Sequence, residues 1–168
     1  MFFTKNLQNK ASEILKTAEQ KNLKIAIAES CTGGLLSALF TDIEGSSKVF
    51  DRAFITYSNQ AKIEMLQVKK ELLDKYGAVS GEVAVSMAQG VIKNSTADIS
   101  IAITGIAGPE GGSLEKPVGL VYISILNRKC PQRIIVRKFN FSGDRNEVRK
   151  SSIIEALEAI KLIITADR

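Results

Sequence analysis

Leu23-Lys24-Ile25-Ala26-Ile27-Ala28-Glu29-Ser30-Cys31-Thr32-Gly33-Gly34-Leu35-Leu36-Ser37-Ala38-Leu39-Phe40 is the stretch on which the fold turns. Leu23 to Ala28 is a short apolar run that reads as a buried strand, and Leu35 to Phe40 is apolar with helical character. The polar residues between them place a strand-to-helix corner. A corner of this kind exposes a hydroxyl, here Ser30, while the helix N-terminus behind it offers unpaired N–H groups to an anion or oxyanion. The chain contains no histidine. A Ser30 nucleophile therefore cannot have an imidazole base, and lysine becomes the leading candidate.

Outward from this corner, helical and extended patterns alternate. Leu7, Ala11, Ile14, Leu15 and Ala18 recur at helical spacing and predict an amphipathic helix over Lys5 to Gln20. Val49 to Tyr57 reads as a second strand, and Ser58 or Asn59 can cap a helix through Lys62, Ile63 and Met65. Lys69 to Tyr76, stopped by Gly77, and Gly81 to Lys93 read as helices. Asp98 to Thr104 is an apolar strand. Val118 to Leu126 and Arg133 to Phe141, joined by a short link, predict an antiparallel hairpin. Asp144 can cap a last helix with Ile153, Ile154, Leu157, Ile160 and Ile164 on its apolar stripe. The pattern predicts an α/β fold with a mixed, mostly parallel sheet and helices on both faces. Ligands in such sheets gather at the carboxyl ends of strands, where Ser30, Tyr57 and Thr104 fall.

Composition narrows the function classes. At 168 residues the chain is read as a single domain, residues 1–168. No run is long and apolar enough to span a bilayer. Met1-Phe2-Phe3-Thr4-Lys5 leads into a charged segment without a signal-peptide core, which argues for a cytoplasmic protein without a membrane partner. Cys31 and Cys130 form no ligand spacing, so no metal site is expected. Cys31 is either a nucleophile or, the weightier reading, a small residue packed under the loop. The net charge of +5 points to an anionic partner. The basic residues are dispersed and not interleaved with aromatics, so a small phosphorylated ligand fits better than nucleic acid.

Lys62 would sit in the first turn of its helix, where the dipole disfavours an ammonium. Bringing a lysine near neutrality takes about 4 kcal/mol, of which the dipole supplies at most about 2 kcal/mol, so desolvation or a second cation must contribute. Tyr57 could relay the proton or orient the lysine. On spacing alone a solvated surface lysine is the weightier reading. Arg145 and Arg149 also oppose a helix dipole, which a bound phosphate would relieve; tolerated surface arginines fit as well. Gly105-Ile106-Ala107-Gly108-Pro109-Glu110-Gly111-Gly112 matches neither a Walker loop nor the dinucleotide fingerprint. Its place directly after a strand favours a ligand-lining role.

Taken together, Ala28 to Gly34, Tyr57-Ser58-Asn59 with Lys62, Thr104 to Pro109 with Gly111-Gly112, Lys116-Pro117-Val118-Gly119 and Phe141 to Arg145 resemble the CinA C-terminal domain family, from about Leu23 to the C-terminus. Its enzymes are the nicotinamide mononucleotide deamidases. The resemblance implies a three-layer α/β/α sandwich and hydrolysis of the nicotinamide carboxamide to a carboxylate and ammonia, in pyridine nucleotide recycling. It implies a Ser–Lys dyad assisted by a tyrosine, carried here by Ser30, Lys62 and Tyr57, and substrate contacts at Thr104 and Arg145. Substrate-binding candidates in the same blocks are Cys31, Thr32, Gly33, Gly34 and Gly105. No cofactor is implied, and a homo-oligomer is. In many bacterial relatives the domain follows a larger molybdopterin-binding-like domain, and this chain resembles the stand-alone form. The rival readings are a non-catalytic nucleotide-binding or regulatory module, a nucleic-acid-associated competence factor, and an amidase for another phosphorylated amide.

Overall fold

Alternation of large and small side chains in the first strand sets the two faces of the sheet. In the computed structural model, which describes residues 3–166, β1 spans Ile25–Glu29. Met1 and Phe2, part of the segment read above as lacking a leader core, lie outside the described residues. Ile25 and Ile27 face one core cluster, whereas Ala26 and Ala28 face the other. The isoleucine side packs against α1 (Lys5–Gln20), α2 (Leu35–Thr41) and α6 (Arg145–Ala166). On the alanine side lie α3 (Asn59–Leu66), α4 (Lys70–Tyr76) and α5 (Gly81–Lys93). Small residues there admit α5 closely: Ser100 Oγ donates to Ala88 O at 2.9 Å. At Gly90 an added Cβ would collide with the Leu66 carbonyl of α3.

The remaining strands are β2 (Phe50–Ile55), β3 (Ile99–Gly105), β4 (Leu120–Asn127) and β5 (Ile135–Asn140). Their order is β2-β1-β3-β4-β5. β1 pairs in parallel with both β2 and β3, and β4 runs antiparallel to β3 and β5. This is a mixed sheet between two helical layers, with the expected hairpin at β4–β5. From β1 the chain crosses to β2 on one side and later to β3 on the other. The switch falls at the carboxyl end of β1, where open α/β sheets leave a crevice.

Local signals act where the sequence places them. Ser58 Oγ accepts from Ala61 N at 3.0 Å and starts α3. Ser80 Oγ accepts from Val83 N at 3.3 Å and starts α5. Asp144 Oδ1 takes the N–H groups of Asn146 and Glu147, while Glu147 Oε2 accepts from Asp144 N, closing a reciprocal cap on α6. None of the described helices is long and apolar enough to cross a membrane.

Candidate active site

Ser30 and Lys62 meet at the end of β1. Ser30 leaves the strand directly after Glu29, its N–H bonded to Ile103 O of β3 at 3.0 Å. Lys62 enters from the first turn of α3 and is buried, with 1% of its surface exposed. Its Nζ lies 3.1 Å from Ser30 Oγ, 2.8 Å from Thr56 O and 3.4 Å from Tyr57 O. Burial lowers its pKa to about 8, opposed in part by neighbouring Cys31. This resolves the choice left by spacing: Lys62 is not a solvated surface lysine, and desolvation supplies what the helix dipole cannot. A neutral amine has two N–H donors and one lone pair. Carbonyls only accept, so the N–H groups serve Thr56 and Tyr57, and the lone pair is left for the Ser30 proton.

Glu29 corrects the expectation of a vacant helix N-terminus behind Ser30. Following the parity of Ile25 and Ile27, its fully buried carboxylate turns toward α2. Oε2 accepts from Gly34 N at 3.1 Å and Leu36 N at 3.2 Å. Oε1 accepts from Ser37 N at 2.9 Å and Ser37 Oγ at 2.6 Å. Gly33 N goes to Ser30 O at 3.0 Å. Gly33 and Gly34 hold φ of 59° and 93°, the left-handed backbone that brings the helix start over the carboxylate. Their N–H groups are therefore committed within the protein. Thr32 is fully buried, and its carbonyl accepts from Arg149 Nη2 at 2.9 Å. Thr32, Gly33 and Gly34, expected at the substrate, instead form the support beneath Ser30. Arg149 buttresses the corner from behind rather than facing the cleft.

The cleft itself, about 230 Å³, is lined by Ser30, Cys31, Tyr57, Lys62, Thr104, Gly105 and Arg145 among the expected residues. Ala78, Val79, Ile106, Ala107, Gly108, Glu110 and Gly111 complete it. A larger open groove, about 870 Å³, lies on the outer side of α5 between Leu72, Val85, Tyr122 and Val136, away from the dyad. Burial raises the Cys31 thiol to about 11, so it stays protonated and is a poor nucleophile beside Ser30. Thr104 Oγ1 donates to Ala78 O at 2.8 Å and so fixes the wall. Tyr57 is 61% exposed; of the two roles expected for it, its carbonyl is placed for the orienting one, against Lys62, while its hydroxyl accepts from Arg145 Nη2 at 3.2 Å. Arg145 Nη1 also donates to Gly108 O at 2.9 Å, so the guanidinium bridges Tyr57 and the glycine-rich loop at the cleft. Two of its five donors are used there. Sequence reasoning missed the roles of Glu29 and of the Ala78–Val79 wall. A carboxylate closing an otherwise apolar strand was the available signal for the first; the second had none.

Comparison with known proteins gives a consistent picture. The family model of the CinA C-terminal domain matches residues 7–164. A protein of Acetivibrio thermocellus bearing a provisional competence-damage inducible name is 50% identical over 140 residues, covering 83% of this chain and 33% of the relative. A CinA-like protein of Kosmotoga olearia is 46% identical over 149 residues, covering 88% of this chain and 35% of the relative. The chain thus spans about a third of the length of these curated relatives. The crystal structure of the competence/damage inducible protein CihA from Agrobacterium tumefaciens superposes with a TM-score of 0.94 at 39% identity, covering 98% of this chain and 99% of that one. Sequence and fold agree, and the chain belongs to the CinA C-terminal domain family.

Proposed function

We propose that this protein hydrolyses the carboxamide of nicotinamide mononucleotide to nicotinate mononucleotide and ammonia through an acyl-enzyme on Ser30. The observation that carries the reading is the buried Lys62 amine, 3.1 Å from Ser30 Oγ, with its pKa held down to about 8. Lys62 takes the Ser30 proton as Oγ bonds to the carboxamide carbon, giving a tetrahedral intermediate. Within the corner, the Cys31 N–H lies at the cleft with no backbone acceptor on another residue among the described ones, and it would receive the oxyanion. Protonated Lys62 returns the proton to the leaving nitrogen, the C–N bond breaks and ammonia departs. Water, deprotonated by Lys62, then cleaves the ester to release the carboxylate and restore Ser30.

Arg145, at the cleft with donors to spare, would pair with the 5′-phosphate, and the Gly105 to Gly111 loop would lie along the ribose or ring. Its bond to the Tyr57 hydroxyl makes Tyr57 a group that orients both the arginine and, through its carbonyl, the lysine. The test is ammonia release from nicotinamide mononucleotide, with a chelator present, in the native protein and in Ser30→Ala. Release by the native protein alone is the expected result. No release from folded native protein would reject the deamidase and favour another phosphorylated amide or a binding module.

A further inference from the structure

Lys116-Pro117-Val118-Gly119, prominent in the sequence, takes no part in the dyad, yet its lysine ends at the wall of the cleft. Lys116 lies in the long connection between β3 and β4. Its ammonium donates to Tyr76 O and, at 2.8 Å, to Val79 O. These carbonyls lie at the end of α4 and within its link to α5, where Ala78 and Val79 line the cleft. The carbonyls between them are also held by side chains. Gly77 O accepts from Ser80 Oγ at 3.0 Å, and Ala78 O from Thr104 Oγ1 at 2.8 Å. Every carbonyl from Tyr76 to Val79 thus ends on a side-chain donor, and the outer pair share Lys116.

The connection that carries Lys116 also supplies Ile106, Ala107, Gly108 and Gly111 to the lining. Lys116 therefore ties together two parts of the same cleft: the glycine-rich loop on which it rides and the wall that it grips. A compact ammonium with three N–H donors on a long stem suits two carbonyls three residues apart. Gly77 makes room for it: an added Cβ would stand 2.9 Å from Lys116 Nζ.

We propose that Lys116 is a positioning residue that sets the separation of the Ala78–Val79 wall from the glycine-rich loop, and with it how tightly the cleft holds its substrate. The substrate side of this rests on the deamidase reading; the tie between the two segments does not. The test combines kinetics on nicotinamide mononucleotide with amide hydrogen exchange in the native protein, Lys116→Met and Lys116→Arg. In Lys116→Met, KM rises about tenfold or more while kcat stays within about threefold, because the chemistry is intact and the grip is not. Lys116→Arg recovers most of the loss, since a guanidinium can also serve two carbonyls. Exchange accelerates together in residues 76–80 and 106–116 of Lys116→Met and is unchanged in β1 and β3. Should that variant not fold, Lys116→Gln is read the same way with a smaller rise in KM. An unchanged KM, or loosening spread across the sheet, would overturn the proposal. If native protein releases no ammonia, the deamidase reading fails alone. Exchange then decides: paired acceleration keeps the positioning role, and unaltered exchange removes it.

Discussion

Lys62 loses its hydration on folding, and that loss sets both the chemistry and the stability of the site. In the unfolded chain it titrates at the ordinary lysine value of 10.5; in the fold it titrates at about 8. Below about 8 both states keep the proton, and the fold bears the cost of a buried ammonium. Between about 8 and 10.5 the folded chain has released a proton that the unfolded chain still binds, so this group adds stability as pH rises. Across that window the native protein should gain up to about 3 kcal/mol relative to Lys62→Met, whatever fixed offset the substitution introduces. Denaturation of both proteins at a series of pH values checks this, and a difference that stays flat would refute it. Activity should rise along the same axis: kcat/KM climbs through about pH 8 and levels off once the amine is neutral.

The corner between β1 and α2 behaves as one element because a single carboxylate joins its two halves. Glu29 leaves the strand and closes over the first turn of a seven-residue helix that has no side-chain N-cap of its own. Glu29→Gln keeps the shape but puts an amide nitrogen against backbone donors. It should cost about 2 kcal/mol in denaturant unfolding and lower kcat, since Ser30 directly follows the displaced group. Full turnover in a destabilised Glu29→Gln would separate the cap from the nucleophile. Much of this level was legible beforehand. The bounds of α1 and α5 match their periodicity, and Asp144 caps α6 as its residue type suggests. Glu29 was legible only as a carboxylate closing an apolar strand, because a strand pattern gives the parity of a side chain but not the helix end that the chain will fold back against it. Gly33 and Gly34 were misassigned for the same reason: their residue type announces a turn, and only the closed corner shows where their N–H groups go.

At the scale of the molecule, the cleft is assembled from strand ends that the order β2-β1-β3 makes neighbours. Ser30 and Lys62 are 32 residues apart, and Lys116 and Tyr76 are 40 apart. The type of each residue could be read from the sequence, but the burial of Lys62 and the reach of Lys116 depend on contacts across such separations. Exchange should reflect this architecture. Amides of β1 and β3, buried on both faces, should be the slowest, and those of the exposed 110–115 segment the fastest. A loop protected as well as the central strands would contradict the arrangement. The setting of the base carries a last consequence. Thr56 and Tyr57 hold Lys62 through main-chain oxygens, which every amino acid possesses. No codon change at either position can simply delete those acceptors. Natural variation or engineering that shifts the working pH must therefore act through the packing that keeps water from the amine, at neighbours such as Cys31.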